Sequence, residues 1–356
     1  MDHKKIFDIN IDGTTALPTP EQLMKDYPLS KEAAQGINEN RQVLKNILSG
    51  KDKRLMIVVG PCSIHDPKSA IEYAKNLSSF AQDVSDSLFI IMRVYFEKPR
   101  TTIGWKGLLN DPFLDDSCQV KQGLCIGREL LVQLAEMGLP LGTEALDPLS
   151  PQFFQDTISW SAIGARTAES QTHRELASGL SGTIGFKNGT DGGIEIATAA
   201  LRSAAAPHKF LGIDSKGKVC VVNTKGNQSA HIVLRGGRER ENYDSVSVSI
   251  CEKQLEDAGL KKNIMIDCSH ANSQKNFDRQ PLVLQDIATQ IMQGSQSICG
   301  VMIESHLKEG NQKVPQDLRQ LQYGVSITDA CLSWEDTKKI LLHFRSQVKP
   351  YLKNRR

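Results

Sequence analysis

Apolar runs rich in β-branched residues recur along the chain at residues 55–60, 88–96, 140–147, 161–167, 183–188, 231–237, 263–270 and 297–305. Segments with helical spacing separate them. Ile71, Ala74, Leu77, Phe80 and Ala81 follow Asp66-Pro67, which reads as an N-cap with proline at the first helical position. Residues 124–137, stopped by Gly138, and residues 246–258, stopped by Gly259, have the same character. Strand and helix thus alternate eight times without a hairpin turn between the principal strands. Strands buried on both faces read as continuous apolar runs, so the pattern predicts an α/β fold, a closed parallel (β/α)8 TIM barrel. A doubly wound open sheet is the alternative. Two segments stand outside the count: an N-terminal extension, residues 1–50, and the stretch 207–230. In the latter, residues 209–213 and 219–223 flank Asp214-Ser215-Lys216-Gly217 and predict an inserted β-hairpin.

Length and composition narrow this picture little. At 356 residues the chain fits one barrel domain with additions, 51–356 after the arm. A formal net charge of +2 supplies no global field for nucleic acid or membranes, so any basic patch is local. The N-terminal residues lack the apolar stretch of a signal peptide, and no run is long enough to span a bilayer, which points to the cytoplasm. Eight scattered cysteines without a C-x-x-C pair fit reduced thiols.

In such a barrel the active site forms at the C-terminal strand ends. That column reads Cys62 and Ser63, then Arg93, Lys98 and Arg100, Glu144, Arg166, Lys187, Arg235, Asp267 and His270, Glu304, and Asp329 in the loop beyond. Six cations at one mouth repel one another unless acids or a polyanionic ligand compensate them, so phosphate or carboxylate groups are expected there. Each could instead be half of a structural ion pair. Cys62, His270, Glu304 and Asp329 could together hold a divalent Mn, Fe, Co, Cu or Zn ion. Taken singly, Cys62 reads as a buried thiol and His270 as a core histidine. The glycine-containing stretches around Gly164, Ala165 and Arg166, and after Lys187, could let backbone N–H groups approach a phosphate or could be plain turns.

Gly60-Pro61-Cys62-Ser63-Ile64-His65-Asp66 closely resembles the type I family of 3-deoxy-D-arabino-heptulosonate-7-phosphate (DAHP) synthases, in its feedback-regulated microbial and fungal branch. So do the segments 92–102, 104–108, 162–167, 185–192, 234–237, 267–270 and 323–331, nearly end to end. The resemblance implies a transferase that condenses phosphoenolpyruvate with erythrose 4-phosphate and releases phosphate, the first step of the shikimate pathway. It implies Cys62, His270, Glu304 and Asp329 as metal ligands and places Arg93, Lys98, Arg166, Lys187 and Arg235 around phosphoenolpyruvate. Pro99, Arg100 and Thr101 become the tetrose phosphate site. Lys98 becomes the candidate proton donor to the aldehyde oxygen, with a metal-bound water as its rival. A related synthase that makes 3-deoxy-manno-octulosonate 8-phosphate and a non-catalytic phosphosugar-binding barrel are the competing readings. The Lys98-Pro99-Arg100-Thr101 segment argues against the first.

Two positions depart from the family pattern. Ala271 stands where glycine usually follows the metal histidine, a strained exchange if that backbone needs positive φ. The loop Arg238-Glu239-Arg240-Glu241-Asn242-Tyr243 also differs. The resemblance further implies that arm and hairpin build an allosteric pocket for an aromatic amino acid, from Asp147, Pro151, Gln152, Leu180, Ser181, Phe210, Gly212 and Val222, with Asp8 from the arm. Leu180, Phe210 and Val222 also read as plain core. Gly212, lacking a side chain where phenylalanine-sensitive relatives carry serine, leaves room for a phenolic hydroxyl and points to tyrosine. A homo-oligomer, dimer or tetramer, is expected.

Overall fold

The computed structural model describes residues 6–100 and 104–355. In chain order its strands are β1 (Leu55–Gly60), β2 (Leu88–Arg93), β3 (Leu141–Glu144), β4 (Trp160–Ile163), β5 (Thr183–Lys187), β6 (Lys209–Ile213), β7 (Val219–Asn223), β8 (Ala230–Leu234), β9 (Ile264–Asp267) and β10 (Ile298–Glu304). Eight of them close into a parallel barrel in the order β1-β10-β9-β8-β5-β4-β3-β2, while β6 and β7 form a separate antiparallel hairpin. The helices are α1 (Pro20–Asp26), α2 (Lys31–Leu48), α3 (Pro67–Asp83), α4 (Val120–Glu136), α5 (Pro151–Phe154), α6 (Gln171–Gly179), α7 (Glu195–Ala204), α8 (Ser245–Asp257), α9 (Gln280–Met292) and α10 (Trp334–Leu352).

Why the strands read as unbroken apolar runs is visible in β1. Ile57 and Val59 belong to the layer shared with the helices, whereas Met56 and Val58 point inward with Ile91, Trp160, Ala162, Val233, Met265 and Met302. Both faces of β1 are buried, and neither parity is polar along its length. Asp66 caps α3 by accepting from the N–H groups of Lys68 and Ser69, as its sequence position predicts. Gly138 and Gly259 close α4 and α8 in the left-handed region, at φ +77° and +68°.

Several apolar runs outlast their strands. β2 ends at Arg93 rather than 96, β3 at Glu144 rather than 147, β4 at Ile163 rather than 167 and β9 at Asp267 rather than 270. Of the residues beyond these ends, 94–96, Ala145, Gly164, Cys268 and Ser269 stay buried, whereas Asp147 and Arg166 are exposed.

The N-terminal extension is more closely tied to the barrel than its sequence suggests. Leu44, Ile47 and Leu48 of α2 join the inward cluster and close the end opposite the strand C-termini. Arg41 fastens α2 further, with Nε donating to the Ile158 carbonyl at 3.0 Å and Nη2 to the Gln155 and Ile158 carbonyls.

Candidate active site and metal centre

Strand parity builds the site. The inward positions of β2, β9 and β10 carry Ile91, Met265 and Met302 in the core, and two residues further on carry Arg93, Asp267 and Glu304. Val233 of β8 is followed by Arg235 in the same way, and Glu144 and Lys187 end β3 and β5 on the mouth side. A period of two therefore turns an apolar interior into a charged rim within two residues. The resulting cavity, about 340 Å³, is lined by Arg93, Lys98, Pro99, Arg100, Glu144, Gly164, Ala165, Arg166, Lys187, Arg235, His270 and Asp329. Thr101 lies outside the described residues. Gly164 packs against Glu144: a Cβ there would lie 2.3 Å from Glu144 Oε1, so that carboxylate would have to move.

The six cations do not share one role. Arg93 is fully buried and paired, donating to Glu304 Oε1 at 2.9 Å and to the carbonyls of Pro61 and Cys62. Its guanidinium stacks 3.6 Å from the centroid of the Tyr95 ring. Lys187 Nζ lies 3.4 Å from Asp267 Oδ2; burial lowers its pKa, with Asp267 and Glu144 opposing. Lys98 Nζ donates to the Cys62 carbonyl at 2.6 Å and lies 3.0 Å from Cys62 Sγ. Burial works against its charge, but the Cys62 and Glu304 charges prevail and its pKa is raised. Arg100 donates to the Trp105 carbonyl. In contrast, the Arg166 and Arg235 guanidiniums have no acid within ion-pair reach among the described residues, although they face each other across one cavity. Burial, followed by the opposing pull of Asp267, leaves Arg235 with a lowered pKa. An anion is the ligand that such an arrangement accepts at least cost.

Beside this crescent, ligand atoms of Cys62, Glu304 and Asp329 lie within 4.8 Å of one another. The barrel makes this corner because β1 pairs with β10 in the register Gly60↔Glu304, which sets the loop after β1 against the end of β10. His270 stands at its edge, with Nε2 3.9 Å from Glu304 Oε1, outside the tightest group of three. Its Nδ1 lies 2.8 Å from both Asp267 Oδ2 and Ser269 Oγ, which orients the ring with Nε2 towards Glu304. A soft thiolate with two carboxylates and an oriented imidazole fits a first-row divalent ion. Burial, then Glu304, raises the Cys62 pKa, and a cation at this corner would reverse that balance.

The DAHP synthetase I family matches residues 26–342. The chain belongs to this family. It is 53% identical over 341 residues to the Tyr-sensitive phospho-2-dehydro-3-deoxyheptonate aldolase of Salmonella typhimurium, covering 96% of both chains. Identity to the Phe-sensitive enzyme of Escherichia coli K12 is 50% over 342 residues, covering 96% of this chain and 97% of that one. A solved phospho-2-dehydro-3-deoxyheptonate aldolase from Francisella tularensis superposes with a TM-score of 0.93 at 48% identity, over 96% of this chain and 99% of that one.

Within this family member, the mouth contains residues that sequence reading passes over. Lys275 lines the cavity from a tight loop in which its N–H donates to the His270 carbonyl at 2.7 Å. Nothing in its surroundings along the chain marks it, because it lies well beyond the end of β9. Asn188 is buried and donates from Nδ2 to the Gly236 carbonyl, while its Oδ1 accepts from the Arg235 N–H, so it positions Arg235. Ala271 does not carry positive φ; His270 does, at 55°. The departure from glycine therefore causes no backbone strain. The divergent loop 238–243 retains its anchor, with Asn242 Oδ1 accepting from the Gly236 N–H at 2.7 Å.

Of the nine residues expected around an effector, Asp147 alone lines the 470 Å³ cavity between the arm, the hairpin and α4. Pro151 and Gln152 begin α5, Leu180 caps α6, and Ser181 Oγ donates to Gln155 Oε1. Phe210 pairs with Val222 on the hairpin, and a Cβ on Gly212 would lie 2.7 Å from Val222 Cγ2. Asp8 is exposed, with φ 57°.

Proposed function

We propose that Arg166 and Arg235, supported by Lys187, hold phosphoenolpyruvate while Cys62, His270, Glu304 and Asp329 hold a divalent metal. The reaction is the condensation of phosphoenolpyruvate with erythrose 4-phosphate, first in the shikimate pathway, as follows from family membership. The observation that carries the residue assignment is the pair of guanidiniums at the mouth that have no acid partner among the described residues. Bound at its corner, the metal would supply Lewis-acid polarisation of the aldehyde. Arg166 and Arg235 orient the enol phosphate and stabilise charge moving onto its phosphate as the carbon–oxygen bond breaks. Lys98, 3.0 Å from Cys62 Sγ, stands between the two substrate regions and is placed to deliver a proton to the aldehyde oxygen. Pro99 and Arg100, with Thr101, take the tetrose phosphate.

Phosphate release from the two substrates tests this reading. Turnover should vanish on chelation, return with added Mn²⁺, Co²⁺ or Zn²⁺, and be abolished in Cys62→Ala; full activity of Cys62→Ala in metal-free buffer overturns the metal assignment.

Feedback control by tyrosine is our reading of Gly212, and the arm and hairpin are its regulatory elements. Inhibition titrations decide between tyrosine, phenylalanine and tryptophan. Gly212→Ser should weaken tyrosine and favour phenylalanine, because its Cβ displaces the Val222 methyl and its hydroxyl occupies the space left for the phenol. We place the enzyme in the cytoplasm as a homo-oligomer, dimer or tetramer; no helix among the described residues is long and apolar enough to cross a membrane.

A further inference from the structure

The four candidate metal ligands are not held alike. Glu304 ends β10, and Gln280 brackets its backbone, with Nε2 donating to the Glu304 carbonyl at 2.9 Å and Oε1 accepting from the Glu304 N–H at 2.8 Å. Cys62 lies just beyond β1, and its carbonyl accepts from Arg93 and Lys98. The His270 ring is oriented by Asp267 and Ser269. Asp329 instead comes from the long loop between β10 and α10. That loop is attached on the C-terminal side of Asp329, where the Leu332 N–H donates to the Glu304 carbonyl at 3.0 Å. On the other side Thr328 reaches the loop after β1: its Oγ1 lies 2.7 Å from Ser63 Oγ, a hydrogen bond in which either hydroxyl can donate. Ser63 is fully buried. Thr328 is fixed within its own loop, with its N–H donating to Ser326 Oγ at 3.1 Å and its carbonyl accepting from Asn311 Nδ2 at 2.8 Å.

We propose that the Ser63–Thr328 hydrogen bond is a clasp that sets Asp329 against Cys62, so that Ser63 and Thr328 are positioning residues for the metal corner; the inference rests on the metal reading of that corner. Ser63 follows Cys62 and Thr328 precedes Asp329, so the bond joins the two loops one residue away from ligand groups whose atoms lie within 4.8 Å of each other. A carboxylate on an unsecured loop must be ordered at the moment an ion binds, and that ordering weakens the affinity. A clasp formed beforehand removes the loss, as hydrogen-bonding groups behind the ligands do in metal sites generally. Thr328 also borders the mouth cavity, so metal binding in the absence of substrate is the quantity that separates positioning of the ion from contact with a substrate.

Titration of the reduced, metal-free full-length enzyme with Co²⁺, followed by the thiolate-to-cobalt charge-transfer absorption, tests it. Ser63→Ala and Thr328→Val should each weaken Co²⁺ binding about tenfold or more. The double variant should bind no more weakly than either single one, because all three lose the same bond. Thr328→Ser, which keeps the hydroxyl, should restore wild-type affinity. Wild-type Co²⁺ affinity in Ser63→Ala and Thr328→Val overturns the proposal, as do losses that add in the double variant. A urea midpoint that falls in these variants while Co²⁺ affinity stays unchanged makes the bond merely structural and overturns it equally. Cys62→Ala keeps the two readings apart. If it abolishes the absorption band while the Ser63 and Thr328 variants bind as the wild type does, the clasp falls and the metal assignment stands. If the wild type itself shows no thiolate band, the metal assignment falls and the clasp falls with it.

Discussion

Arg93 and Arg235 begin as equivalent cations in the sequence and end in different employment. Arg93 is neutralised by Glu304 and buried beside Cys62, whereas the Arg235 guanidinium has, among the described residues, only the Gly236 carbonyl as hydrogen-bond partner and faces the cavity. Removing a charge-assisted contact to a bound anion costs about 1.5–3 kcal/mol, so Arg235→Ala or Arg166→Ala should lower kcat/KM for phosphoenolpyruvate by roughly 10- to 150-fold with little loss of stability. Arg93→Ala should instead destabilise the fold, by about 3–5 kcal/mol in urea unfolding, because it strands a buried carboxylate. A second histidine makes the same contrast at the barrel centre. His231 Nε2 accepts from the Trp160 indole at 2.9 Å and Nδ1 donates to the Ile232 carbonyl, which commits the ring to the neutral form. Burial, only partly offset by that carbonyl, lowers its pKa to about 4 from 6.5. The folded value lies below the unfolded one, so the contribution to stability is complete above pH 6.5 and disappears as pH falls to 4; it amounts to roughly 3 kcal/mol. The urea midpoint should fall across that window, and by less in His231→Gln.

At the scale of elements, α2 illustrates how an appended segment becomes structural. Its apolar stripe joins one buried cluster with residues of β1, β2, β4, β8, β9 and β10, an association that no local pattern reveals because those strands are remote in the chain. Leu44→Ala should cost about 2–5 kcal/mol, as a cavity-forming change in a closed barrel end. Residues before α1 should tolerate truncation far better. The hairpin, by contrast, was legible residue by residue, since Asp214-Ser215-Lys216-Gly217 and flanking strands are local chemistry. The residues expected around an effector at 151, 152, 180, 181, 210, 212 and 222 are spread over α5, the end of α6 and strands β6 and β7, so no local pattern links them.

For the whole molecule, closure is what matters. Joining β1 to β10 brings Cys62 to Glu304 across more than two hundred residues of chain, and the β10–β9 register Met302↔Asp267 brings Asp267 and the His270 it orients to the same corner. The outer surface carries its own message. Phe7, Ile9 and Ile11 in the arm, and Leu211, Val219 and Val221 on the hairpin, expose their side chains to a degree unusual for residues of this kind. Deletion of residues 1–13 should therefore lower the oligomeric state measured by sedimentation velocity; an unchanged mass would remove the arm from the assembly.

The sequence by itself determined the alternation of strands and helices, the helix caps, the hairpin and the identity of the charged residues at the strand ends. Each of these follows from local periodicity, turn chemistry or, for the named reaction, motif resemblance. Only the tertiary structure decided which cations are neutralised and which remain free for a ligand, and that α2 seals the barrel. Pairing and desolvation depend on the distance between groups remote in sequence, and the β1–β10 seam and the packing of loops around it set those distances.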